Sequence, residues 1–253
     1  MDWFSLLGFL FVVFLGAYVQ AVAGFAMAML IVAVAGGLRL LDIPTLAVVV
    51  SFTTLLNVIL ALRGHGQDVH RPLARAIVAG QIPGLLLGLA ALSVLASQMT
   101  DWLYLVLGLF ITAGGLSMAL HPQPWAQVTS SWGSFLVGML GGVVGGLFAA
   151  SGPVLGWFGY NQPLGIEVIR ATLLFCFACS TLLRLVFVGV DGAISQTALV
   201  YAAIAVPVVV LGTWLGRRFQ PVASPDTLKR AAYMLLLVMG LWILISALTS
   251  LLS

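Results

Sequence analysis

Thr53-Thr54-Leu55-Leu56-Asn57 returns as Ser180-Thr181-Leu182-Leu183-Arg184, 127 residues further along the chain. Ile82-Pro83, followed by Gly88, returns as Val206-Pro207, followed by Gly212, with the prolines 124 residues apart. Two apolar half-chains of similar length that echo each other are the pattern of a transporter built from two repeats. One matched pair differs in chemistry. Asn57 is neutral and Arg184 is cationic, so this is where an anion is to be sought.

Composition fixes the solvent. Of 253 residues, 62% are hydrophobic and 7% are charged, against roughly 25% charged in soluble domains. Such a chain cannot cover itself with water-facing surface and is read as an all-α polytopic membrane protein. The net charge of +3 resides mostly in short loops between apolar runs. The excess of basic residues in cytoplasmic loops explains it, and no basic cluster with interleaved aromatics argues for nucleic acid.

The apolar segments run over 3–38, 44–62, 72–96, 102–120, 132–160, 165–190, 197–216 and 228–252. The first begins Met1-Asp2 without a basic stretch, so Ala21-Val22-Ala23 is read as part of a retained segment, not as a cleavage site. The polar stretch 121–131 divides a first repeat, 1–120, from a second, 132–253. The segment that opens the first half is too long for one untilted helix at 1.5 Å per residue. Both opening segments are interrupted, the first by Gln20 to Gly24 and the second by Gly141-Gly142-Val143-Val144-Gly145-Gly146 and then by Ser151-Gly152-Pro153.

Loop charges choose between a single crossing and a fold-back. With eight single crossings, the bases split into Arg39, Arg170, Arg217, Arg218, Lys229 and Arg230 against Arg63, Arg71 and Arg75. With two folded-back segments, Arg39 alone faces the other eight, which obeys the positive-inside rule far better. The predicted architecture is therefore two inverted repeats. Each is a broken or re-entrant helical hairpin plus three transmembrane helices, and both termini lie on the non-cytoplasmic side. Hairpin tips entering from opposite faces would meet near the midplane and present helix ends there, which suits an anion.

Arg184 is the foremost candidate. An arginine at the centre of a membrane helix costs roughly 2.5–3.5 kcal/mol on insertion scales, and its planar fork binds sulfonate or carboxylate bidentately. Snorkelling towards Asp191, seven residues on, is the competing reading. Asn57 can donate to a substrate oxygen or bond a neighbouring helix. Thr54 and Ser180 offer hydroxyls, which often bond their own helix instead. Gln20 and Ser151 sit where the breaks free backbone groups, and Gln81 precedes Pro83, whose freed carbonyl it can satisfy. Arg170 stands three residues after Glu167, an ion-pair spacing on a helix. Cys176 and Cys179 form CxxC inside an apolar run, where small residues at a helix contact are the simpler reading. Gly80, Gly84 and Gly88, and Gly138, Gly142 and Gly146, make small-residue ridges for close helix packing. No metal or cofactor is expected, and no spacing among His65, His70 and His121 suggests a metal.

Gly16…Gln20…Gly24-Phe25 and Gly145-Gly146…Ser151-Gly152-Pro153, each opening a half of four hydrophobic runs, resemble the TauE/SafE sulfite exporter family, also called the sulfonate uptake permease superfamily. The resemblance spans essentially the whole chain. It implies a bacterial inner-membrane transporter of sulfite or small organosulfonates such as sulfoacetate, with Phe25 of the first motif joining the substrate-binding residues. Where the family often has more glycine, this chain reads Gly24-Phe25-Ala26-Met27-Ala28 and Ala149-Ala150-Ser151.

The expected function is alternating-access transport of a small sulfonate or sulfite around a midplane site, without catalysis. The lipid bilayer is the surrounding partner, and a homodimer is left open. A passive anion channel, a small-carboxylate transporter and an intramembrane thiol redox protein are the alternatives.

Overall fold

A computed structural model describes residues 3–119, 124–219 and 225–252, without side chains for 118–119, 225–233 and 252. His121, Ser253 and the side chains of Lys229 and Arg230 lie outside the described residues. Among the described residues all regular structure is helical. The helices are α1 (Trp3–Ala23), α2 (Met27–Ile31, prolonged by a π turn over Val32–Gly36), α3 (Ile43–Leu62), α4 (Arg71–Gln98) and α5 (Thr100–Ala119). The second half holds α6 (Ser131–Phe148), α7 (Gly152–Tyr160), α8 (Ile166–Val190), α9 (Gln196–Arg218) and α10 (Pro225–Leu252). Eight of them are long and apolar enough to cross a membrane.

Helix starts follow local chemistry. Asp42 Oδ2 accepts from Thr45 N at 2.9 Å with Pro44 in the first turn. Ser195 Oγ accepts from Ala198 N at 3.1 Å, and Ser130 Oγ from Gly133 N at 3.3 Å. These oxygens satisfy donors that the first helical turn leaves free.

Both long opening segments fold back. After α1 the chain passes Gly24 and Ala26, both at positive φ, 80° and 94°. Met27 then lies against Gly16, so α2 returns along α1. α6 is not interrupted at its glycines as the sequence suggests, and carries its helix unbroken through them to Phe148. After α6, Ala149 takes a left-handed conformation at φ 55° and its N–H bonds the Gly145 carbonyl at 2.9 Å. Leu155 then packs on Gly141, so α7 returns along α6. Alanine at positive φ costs about 1–3 kcal/mol, so both turns are held by their surroundings. Tyr160 braces the first: its hydroxyl donates to the Ala23 carbonyl at 2.6 Å, and its ring meets Phe25 edge to face at 5.6 Å.

Packing relates the halves. α4 lies parallel to α6, and their glycine ridges interlock. Gly80 faces Phe135, Gly84 faces Met139, Gly88 faces Val143, and Gly138, Gly142 and Gly146 face Ile77, Gln81 and Leu85. α1 and α9 also run parallel, with Gly212 on Phe14 and Gly216 on Tyr18. α5 and α10 run antiparallel, with Gly108 on Leu244 and Gly240 on Thr112. α3 and α8 pack together at the centre, α3 also on α9 and α8 also on α4. Exchanging the halves turns α4·α6 into α9·α1 and α3·α9 into α8·α4, and leaves α3·α8 and α5·α10 unchanged.

Two faces are distinct. Arg217 at the end of α9 donates to the carbonyls of Leu60 and Arg63, at 2.5 and 2.8 Å, where α3 ends. His70 N, just before α4, bonds Thr172 Oγ1 early in α8 at 2.9 Å. These contacts gather Arg63, Arg71, Arg217 and Arg218 at one end of the bundle. At the other end, Arg39 lies over the Tyr104 ring, 4.6 Å from its centroid, and Ser250 bonds Asp101 at 2.9 Å.

Candidate functional site

The two hairpin tips meet. A methyl on Gly152 would rest 3.7 Å from the Ala26 nitrogen. Between the tips lies a cavity of about 10 Å³, room for roughly one water. Gln20, Ala26, Ala28 and Met29 line it from the first hairpin, and Ala149, Ser151 and Gly152 from the second. Thr54 of α3 and Phe177 and Thr181 of α8 complete it.

Two polar groups here have protons to donate and no partner. Gln20 spends Oε1 on Met27 N at 3.1 Å and leaves Nε2 without a partner. Thr54 Oγ1 is likewise buried and unpartnered, so this hydroxyl does not bond its own helix as the sequence suggested. Leaving such a group unsatisfied costs about 1–3 kcal/mol. Two around one cavity mark a place that a ligand or water completes. Ser151 precedes α7 without capping it, so the Gly152 amide that opens this helix is not taken by that side chain, while Pro153, next in the turn, has no N–H to offer. No carboxylate lines the cavity.

Arg184 follows Thr181 by one helical turn and is 2% exposed. Its Nη1 donates to Ser51 Oγ at 3.2 Å, its Nη2 to the Gly146 carbonyl at 3.4 Å, and its Nε has no partner. Ser51 in turn donates to Ala47 at 2.7 Å. The side chain therefore reaches sideways to α3 and α6 and does not snorkel to Asp191. Among the described residues the sole ion pair within 4.0 Å is His65–Asp68, so Arg184 carries its charge among neutral groups. Burying an uncompensated charge is expensive, which makes an anionic partner the natural complement.

Asn57, the repeat-mate, reaches a corresponding carbonyl. Its Nδ2 donates to Ala17 of α1 at 3.0 Å and to Thr213 Oγ1 at 2.7 Å, while Oδ1 is unpartnered. Both amide protons are spent on the protein, so Asn57 has none left for a substrate oxygen. Gln20, Thr54 and Ser151 come together at the cavity; the other expected site residues stand apart. Ser180 donates to Phe177 of its own helix at 3.3 Å. Gln81 is fully buried beside Gly142 with both amide atoms unpartnered, so it does not satisfy the carbonyl freed by Pro83. Arg170 donates to the Ala21 carbonyl and packs over Gly24; it makes no ion pair with Glu167. Phe25 buttresses the first turn. Cys176 is buried, Cys179 is half-buried, and both are free thiols away from the cavity.

Ser51, Phe177, Thr181 and Thr213 escaped selection from the sequence. Thr181 carried a signal, since it is the repeat-mate of Thr54. Ser51 and Thr213 carried none, because their roles depend on which helices become neighbours.

Paired hairpins in a bundle of membrane-length helices, with a small polar cavity between their tips, define a multi-pass membrane protein of the transporter class. The chain belongs to the sulfite exporter TauE/SafE family, whose pattern matches residues 9–243. It is 38% identical over 235 residues to the probable sulfite/organosulfonate exporter TauE of Cupriavidus necator, covering 93% of this chain and 92% of that protein. It is 27% identical over 167 residues to the probable inner membrane transporter protein TsaS of Comamonas testosteroni, covering 66% and 69% of the two chains. No solved structure matches the chain significantly.

Proposed function

We propose that this protein moves sulfite or a small organosulfonate across the bacterial inner membrane by alternating access, around an anion site at the hairpin tips. The observation that carries this reading is the meeting of two unpartnered buried donors, Gln20 Nε2 and Thr54 Oγ1, at one small cavity. The uncompensated Arg184 lies one turn beyond. Arg184 supplies charge. Gln20, Thr54, Ser151 and the Gly152 amide at the start of α7 supply hydrogen bonds to sulfonate oxygens. Asn57 and Arg170 position the first hairpin through the Ala17 and Ala21 carbonyls.

The mechanism uses two inverted repeats, a reading supported by the symmetric packing of the halves. It is supported further by element direction. α1 runs with α9 towards the Arg217 end, whereas α6 runs with α4 away from it. At about 10 Å³ the cavity admits a water but not a sulfonate, so loading requires the tips to part. The names of the relatives and the anion chemistry of the site agree with this substrate class.

Uptake of labelled sulfoacetate and sulfite into proteoliposomes tests the reading. Arg184→Gln should lower saturable flux on the order of tenfold to a hundredfold, the value of a charge-assisted hydrogen bond. Arg184→Lys, which keeps charge but loses the fork, should fall between. Wild-type flux in Arg184→Gln removes Arg184 from the site. Saturation with labelled-substrate exchange at zero net flow separates a carrier from a channel.

A further inference from the structure

Arg184 also forms the inner end of a second, much larger space. A vestibule of about 530 Å³ opens between α3, α4 and α8 at the end of the bundle where α8 finishes. That volume lies within the range of small-molecule pockets. Its walls are largely apolar, with Leu89 and Leu92 from α4 facing Phe187 and Val188 from α8. Asp191 stands at the exposed rim, two helical turns from Arg184. The two cavities thus differ in kind: the hairpin-tip cavity is small and polar, and the vestibule is wide and greasy with one cation at its depth.

We infer that the vestibule reads the apolar body of an organic sulfonate while Arg184 takes its head, so that this protein prefers alkanesulfonates longer than two carbons. The inference rests on the anion role of Arg184 proposed above. Three observations carry it. The guanidinium is held by two long bonds to neutral partners, 3.2 and 3.4 Å, with Nε unpartnered. An arriving anion can therefore replace those partners without breaking an ion pair. The apolar walls begin one turn from that head group, at Phe187 and Val188, where an alkyl chain extending from a bound sulfonate would lie. A bare inorganic anion would leave those walls unused, whereas each methylene placed against them is removed from water. Asp191 disfavours a second negative charge at the outer end, so the fit is to a monoanion whose far end is uncharged.

The test is a binding series on the purified full-length protein with ethane-, butane- and hexanesulfonate, and with 1-hexanol as competitor. The dissociation constant should fall on the order of tenfold from ethane- to butanesulfonate, from roughly fourfold per fully buried methylene. Ala90→Trp, which fills the vestibule from α4, should flatten the series. Ala96→Phe fills the same space and serves if the first variant fails to reach the membrane. 1-Hexanol should not displace hexanesulfonate. Ethanesulfonate binding with no dependence on chain length overturns this inference and leaves the anion site standing. Displacement by 1-hexanol as effective as that by hexanesulfonate also overturns it, because the space would then be a lipid-like pocket. Absence of binding by every sulfonate overturns the anion site as well.

Discussion

Thr54 and Thr181 face one cavity from the two central helices, and Asn57 and Arg184 each follow by one turn. The paired residues therefore bracket the cavity, and the chemistry differs only in the outer member. Asn57 ties its helix to α1 and α9, whereas Arg184 leaves charge unspent. Thr54 gives the sharpest residue-level prediction. Its hydroxyl has no partner, so Thr54→Val removes an unsatisfied buried group while nearly conserving shape. Stability should stay level or rise, since losing an unpaired polar atom relieves its desolvation cost. If the hydroxyl binds substrate, affinity should fall on the order of tenfold. Thermal unfolding measured beside sulfonate binding checks both halves; equal affinity removes Thr54 from the site. The repeat made Thr54, Asn57 and Arg184 legible in the sequence, together with Gln20 and Ser151 at the breaks. Ser51 and Thr213 were not legible, because one hydroxyl among valines reads alike whether it meets an arginine, an asparagine or lipid. Which donors stay unpartnered is likewise decided by tertiary contacts.

At the scale of elements, hydrophobic runs and proline positions placed the helices closely. α3 was expected over 44–62 and spans Ile43–Leu62; α8 was expected over 165–190 and spans Ile166–Val190. The turns were legible only in part. Gly24 announces positive φ, but Ala26 and Ala149 do not, because alanine seldom adopts it. The π turn over Val32–Gly36 has no sequence mark either. The glycine ridges were readable as packing surfaces, and the structure shows their depth: a side chain on Gly84 would run into the Met139 backbone. Overpacking of this kind costs about 1–3 kcal/mol. Gly84→Ala should therefore lower the unfolding temperature and reduce transport by shifting α6, whose Gly146 carbonyl holds Arg184. Gly8→Ala, on an exposed stretch of α1 with nothing near the added methyl, should be neutral or mildly stabilising. A thermal-shift comparison of the two separates ridge packing from a general effect of alanine for glycine; equal shifts would remove the ridge explanation.

The whole molecule carries a charge asymmetry from which its orientation is predicted. Arg63, Arg71, Arg217 and Arg218 gather at the end where α3 and α9 finish and α4 begins. Arg39 lies at the other end, against Tyr104. Under the positive-inside rule the first end is cytoplasmic. The loop from α3 to α4 then lies inside, and the loop from α8 to α9 lies outside, along with the vestibule beside it. In a background of Cys176→Ser and Cys179→Ser, a membrane-impermeant thiol reagent should label Ala193→Cys in intact cells. Gly66→Cys should react only after permeabilisation. Both sites are exposed in the folded chain, so failure to label cannot come from burial. The reverse pattern overturns the orientation but not the fold, because the contacts between halves do not depend on which face is inside. Labelling of both sites from one side would be the graver result. α3 leads to the first of those loops and α8 to the second, and these two helices run in opposite directions, so both loops on one face would require a different number of crossings and undo the two-hairpin arrangement itself.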